Sequence, residues 1–151
     1  MYESLPLPAL TTTLQRHWSE TFTPEVPTHF PGVPTPVGQQ PAWVELWLDT
    51  LNTPPQRISG QHRTSILITV HCFSRDLADK IRAQQLADAA IATLAQRTLP
   101  VIQQQPDAAP QTIGWLSIQE PQVRDLSRTD ETAQPNMQHL VISLYGTAQH
   151  C

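Results

Sequence analysis

Cysteine, glycine and basic residues are all scarce in this 151-residue chain, and each scarcity removes a class of function. Two cysteines, Cys72 and Cys151, cannot make a disulfide framework. Cys72 sits in an apolar run and reads as a small buried hydrophobe, while Cys151 is the last residue. Five glycines supply neither GxGxxG nor GxxxxGK, so no phosphate-cradling loop is encoded. Nine Lys and Arg are dispersed against thirteen Asp and Glu; the net charge is −4, with no basic cluster to neutralise nucleic-acid phosphates. No apolar stretch approaches the roughly 18 residues of a membrane span. Residues 1–20 lack the cationic and apolar regions of a signal peptide. One soluble domain, 1–151, made in a reducing compartment, is expected.

Catalytic signatures are missing too. None of the six histidines (His17, His29, His62, His71, His139, His150) pairs as HxH or HxxxH, and neither cysteine belongs to a CxxC. A metal site assembled in space from His71, Cys72 and His139 is conceivable, but strand histidines that are satisfied or solvent-facing are the plainer reading. GxSxG is absent, and no cysteine has an electropositive setting. Glu45 and Asp49 share one strand face but lie roughly 13 Å apart by rise per residue, too far for a glycosidase pair. Nothing here argues for an enzyme, a cofactor or a bound metal.

What the chain has is Gln, Thr, Ser and 15 prolines in place of charge, which is only 15% of residues; such a surface suits contact with other subunits. Leu7, Leu10, Leu14, Trp18 and Phe22 recur at three and four, predicting a core-facing helix that opens near Pro8. Residues 23–42 carry six prolines and two glycines and read as an extended arm over the surface.

Then comes the strongest block, residues 43–97. Trp43–Thr50 and Arg63–Phe73 alternate with period two, joined by a long hairpin loop at 51–62. An alanine-rich helix follows from about Asp76, capped by Ser74 or Asp76, with Leu77, Ile81, Leu86, Ala87, Ala90, Ile91 and Leu94 on its apolar stripe. Leu99–Ile102 is a short strand, 103–111 a polar loop, and Ile113–Glu120 a strand that resumes at Val123–Leu126 past a bulge at Pro121. Gln138–Thr147 is the last strand. The order α-β-β-α-β-β-β predicts an α+β fold, one antiparallel or mixed β-sheet packed against two helices.

Arranged so, the chain resembles the tail terminator proteins of long-tailed bacteriophages. The likeness is carried by THFPGVP and PAWVELWL ahead of the sheet, the turn and strand at Ile58–Ser74, the Leu86-Ala87-Asp88 helix at Lys80–Leu94, and the tryptophan strand Ile113–Val123. It departs from that pattern where SRDLAD replaces a glycine-rich link between strand and helix. The resemblance implies a structural virion protein: a homo-oligomeric ring of six that caps the tail tube, stops its polymerisation and joins the tail to the head connector. It implies partners in the tube and neck proteins, assembly in the host cytoplasm, passage of DNA without specific binding, and no membrane. Residues 23–42, 51–62 and 103–112 are the expected subunit contacts, with Pro31, Val33, Pro34, Pro36, Trp43, Trp47, Pro54, Pro55 and Arg57 as interface residues. Asp125, Asp130 and Glu131 are the expected channel-facing acids; six copies at −4 carry −24, weakly repelling a passing duplex. A neck completion or stopper protein, an adaptor of a contractile-injection machine, and a small hot-dog-like ligand-binding or enzymatic domain are the competing readings.

Overall fold

A computed structural model describes residues 5–33, 38, 40–51, 63–76, 78, 80–127 and 137–151. In chain order the elements are α1 (Leu7–Thr21), β1 (Thr28–His29), β2 (Ala42–Leu51), β3 (Arg63–Ser74), α2 (Ile81–Leu94), β4 (Thr98–Gln105), β5 (Ala108–Asp125) and β6 (Gln138–His150). They form one curled, six-stranded mixed sheet in the order β1-β2-β3-β6-β5-β4, with both helices on its inner face. The α+β expectation therefore holds, with one strand more than the sequence pattern gave. That strand is β1, two residues inside the proline-rich stretch, paired parallel to β2 at Val44 and Glu45. Two residues carry no periodicity, so no pattern could reveal them.

Period two fixes which side chains face the helices. Val44 and Leu46 on β2, Ile66, Ile68, Val70 and Cys72 on β3, and Leu140, Ile142 and Leu144 on β6 form the inner layer, all buried. Against them α2 sets Ala83, Leu86, Ala87, Ala90 and Leu94; the alanines let helix and sheet approach closely. The α2 stripe matches expectation from Leu86 onward but not at its start. β3 runs on to Ser74, and the helix opens only at Ile81, which is 60% exposed. Ser74 and Asp76 do cap, but they cap the intervening turn: the Ser74 hydroxyl accepts the Asp76 N–H at 3.3 Å and the Asp76 carboxylate accepts the Ala78 N–H at 3.0 Å. Short polar side chains stabilise turns by the same bonds that stabilise helix starts.

The stretch at 103–111 is also a correction. It is no loop but the tip of a hairpin, turning at Pro106-Asp107 between β4 and β5. Its residues are exposed on both faces, so they show no apolar alternation to read. β5 carries the expected bulge, a register shift between Ile118 and Pro121.

Helix α1 begins at Leu7 behind Pro6 and buries Leu10, Leu14 and Trp18, as the stripe predicted. Leu7 turns outward and Leu5 and Ala9 take its place in the core. Trp18 is the hub. Its ring stacks on Phe22 at 4.2 Å, and its indole N–H donates to the Thr28 hydroxyl at 2.9 Å, tying α1 to β1. One turn earlier the Thr13 hydroxyl accepts the Ile102 N–H of β4 at 3.2 Å. His17 Nε2 donates to the Thr93 carbonyl of α2 at 2.7 Å while Thr21 lies 3.5 Å from Nδ1. One helix thus touches both margins of the sheet. Replacing Trp18 by Ala should cost about 3–5 kcal/mol, whereas Trp18→Phe, which keeps most of the packing but strands the Thr28 hydroxyl, should cost about 1–2 kcal/mol. Urea denaturation of the two variants measures both.

Candidate functional site

The inner face of the sheet is filled, so the outer face is what the molecule offers. By alternation it carries Trp43, Glu45 and Trp47 from β2, Leu67, Thr69, His71 and Phe73 from β3, and His139, Val141 and Tyr145 from β6. Register then sets these side chains in rows across strands: Trp43 beside Phe73 beside His139, and Glu45 beside His71 beside Val141. Cross-strand neighbours of this kind are near enough to touch.

The first row is a stacked ladder. Trp43 and Phe73 lie 5.0 Å apart between ring centroids, and Phe73 and His139 4.3 Å. The Arg75 guanidinium closes one end, 4.8 Å above the Trp43 ring, while donating to the carbonyls of Gln40 and Gly38 at 2.9 Å each. A cation over an indole face is attracted by the ring quadrupole. Arg75 therefore ties the end of the proline-rich stretch to the ladder. Trp43, expected at an interface, is sealed inside this arrangement and only 5% exposed.

On the diagonal, His71 Nδ1 faces His139 Nε2 at 2.9 Å, one nitrogen donating and the other accepting. Two cationic rings cannot share that bond, since both facing nitrogens would then carry protons. Both imidazoles are held below the ordinary value of 6.5. Burial is the main cause for each, the His71 charge adds to it for His139, and Glu45 opposes it for both. Cys72, between them in sequence, points to the opposite face and is fully buried, so the three cannot share a metal. Among the described residues no group of three His, Cys, Asp or Glu gathers as a metal-ligand set.

Exposed aromatics flank the ladder. Trp47 is 39% exposed, with its N–H 3.4 Å from the Glu45 carboxylate; Tyr145 is 47% and Trp115 of β5 48% exposed. Trp115 pairs with Gln149, which shares its face with Tyr145, so all three lie on the outer surface. Parity against Leu116 and Leu144 was the sequence signal for Trp115 and Tyr145. Nothing in the sequence marked Phe73, Arg75 and His139 as partners of Trp43.

The remaining expected site residues are dispersed. Pro31 lines a small notch between α1 and β2, and Val33 is exposed. Asp125 pairs with Lys80 at 3.5 Å and accepts the Ser127 N–H at 2.8 Å. The hydrogen bonds from Ser127, helped by Lys80, hold its carboxyl below the usual range. Pro34, Pro36, Pro54, Pro55, Arg57, Asp130 and Glu131 lie outside the described residues. Hollows along α1 measure 140, 130 and 300 Å3, and one lined by Gln96, Glu120, Gln122 and Tyr145 measures 540 Å3; the two larger lie open on the surface.

Two outcomes follow for solution chemistry. Because both imidazole values are depressed in the fold, the unfolded chain binds protons more readily. Stability is then full above 6.5 and is lost as pH falls through the folded values. The urea midpoint should drop between pH 7.5 and 5, and a His71→Gln/His139→Gln variant should flatten that slope. Burial pushes the Cys72 thiol up to about 12, while Cys151 is an exposed free thiol. A disulfide reagent at pH 8 should label one thiol per native chain and two after denaturation.

No protein-family model matches the chain, and no curated protein matches it. A solved structure aligns with 97% of this chain and 97% of its own, at a TM-score of 0.60 and 13% sequence identity. At that identity the likeness is one of fold: the helix-on-sheet arrangement described above recurs in it over nearly the whole length.

Proposed function

We propose that the chain is a structural assembly subunit, a phage tail terminator whose six-membered ring caps the tail tube, stops its growth and joins it to the head connector, leaving a DNA channel. The observation that carries this reading is the outer sheet face. Among the described residues no helix lies over it, yet it holds three exposed aromatic side chains, Trp47, Trp115 and Tyr145, beside a stacked ladder. Exposed aromatics on a preorganised surface are the residues that most often anchor protein partners. The sequence resemblance supplies the kind of partner, a tube or neck protein. The net charge of −4 agrees with a conduit that lets a duplex pass without gripping its phosphates.

In this reading the ladder fixes the angle at which the aromatics are presented, and the His71–His139 bond locks two strands beneath them. The test is assembly with purified tail-tube protein. Wild-type chain should give a ring by mass measurement and should halt tube elongation when added in substoichiometric amounts. Trp47→Ala/Trp115→Ala/Tyr145→Ala should melt like wild type but lose capping. A wild-type chain that stays a dimer and leaves tube growth untouched overturns the proposal.

A further inference from the structure

The two margins of the sheet are built differently. On the β4 margin, Pro100 has no N–H to offer, and the Ile102 N–H two residues on is already taken by the Thr13 hydroxyl. A proline and a covering helix are devices that stop edge-to-edge pairing. Among the described residues the β2 margin has neither beyond its first residues. The Val44 N–H bonds outward to the Pro27 carbonyl, which fixes the phase: even-numbered residues of β2 point their backbone groups away from β3. β1 meets β2 only at Val44 and Glu45. In that pairing the His29 carbonyl takes the Leu46 N–H, so among the described residues the outward groups with no strand against them begin at the Leu46 carbonyl and include the Leu48 N–H and carbonyl. Beside them lies the 130 Å3 notch lined by Thr11, Leu14, Gln15, Pro31, Leu46 and Leu48, without a charged side chain.

At the other end of the sheet the β4–β5 hairpin reaches past the core. β6 pairs with β5 only from Gly114 onward, so Ala108–Thr112 pairs with β4 alone among the described residues. This arm is exposed on both faces, neutral apart from Asp107 at the turn, and carries the small apolar side chains of Ala108, Ala109 and Pro110.

We infer that the hairpin arm of one copy docks along the Leu46–Leu48 edge of the next copy, seating the small apolar side chains of one of its faces in the Thr11–Pro31 notch. Resting on the ring reading above, the contact makes the lateral joint of that ring. It is head-to-tail, because acceptor and donor lie on opposite margins, and a head-to-tail contact repeated with rotation closes into a ring. Strand addition supplies backbone hydrogen bonds, and the notch supplies register. Pro110 leaves one position of the added strand without a donor, which limits the joint to a short pairing.

Two variants separate the halves of the joint: Thr11→Trp fills the notch from the helix side, and Ala108→Glu/Ala109→Glu charges the arm. Both changes sit outside the buried core, and melting curves check that each folds. Wild-type chain should sediment as a closed oligomer and each variant alone as a monomer. An equimolar mixture of the two should give a one-to-one dimer and nothing larger, since only one competent joint remains. Amide exchange at Leu48 should slow by about tenfold or more in the wild-type assembly relative to either variant. Variants that assemble as wild type, or fast exchange at Leu48 within the assembly, overturn this joint while leaving the ring standing. A wild-type chain that stays monomeric alone also overturns it, and the ring is then judged by tube capping.

Discussion

A sheet that curls around a helix must be closed on its open side, and here α1 does so by touching both margins at once. Thr13 meets β4, Trp18 meets β1, and His17 meets the end of α2. Two of these bonds join residues 89 and 76 apart in sequence, and each of the three fills a polar demand that burial would otherwise make costly. The helix also decides where the molecule is open. It guards the β4 margin and leaves the β2 margin with a notch.

The two faces of the sheet use different chemistry for the same end. Inside, aliphatic area removed from water holds strands to helices. Outside, with no covering layer among the described residues, a row of rings holds strand to strand: Arg75, Trp43, Phe73 and His139 shield one another across three strands. Such a face shields its own rings yet still offers aromatic area at its flanks. If its partners do cover it, the cost of ordering those side chains has already been met within the free chain.

Much of the architecture was legible in the sequence because the buried strands alternate cleanly and α2 has an unbroken stripe from Leu86 to Leu94. What escaped did so for physical reasons. β1 is too short for a period, and the hairpin tip is wet on both sides, so its strands look like loop. Asp76 caps a turn with the chemistry expected of a helix start. Ile81 belongs to the apolar stripe but lies where the first turn has already left the sheet. For the candidate site, Trp47 could be read as outward-facing, but the ladder could not. Its members sit on strands separated by about 30 and 66 residues, and only the register β2-β3-β6 brings them into one row.

The bond from Ile102 to Thr13 spans 89 residues of chain. Helix α1 leaves the ribosome ahead of the strands it meets, and the second of the two margins it must bridge does not exist until β4 has been made. Contacts of such long separation are late and slow to form, because the entropy of closing the intervening loop has to be met first. The N-terminal helix is therefore made first and seated last. Its unsatisfied apolar face, with Leu10, Leu14 and Trp18, stays open through most of synthesis, which makes the nascent chain a ready client for chaperones.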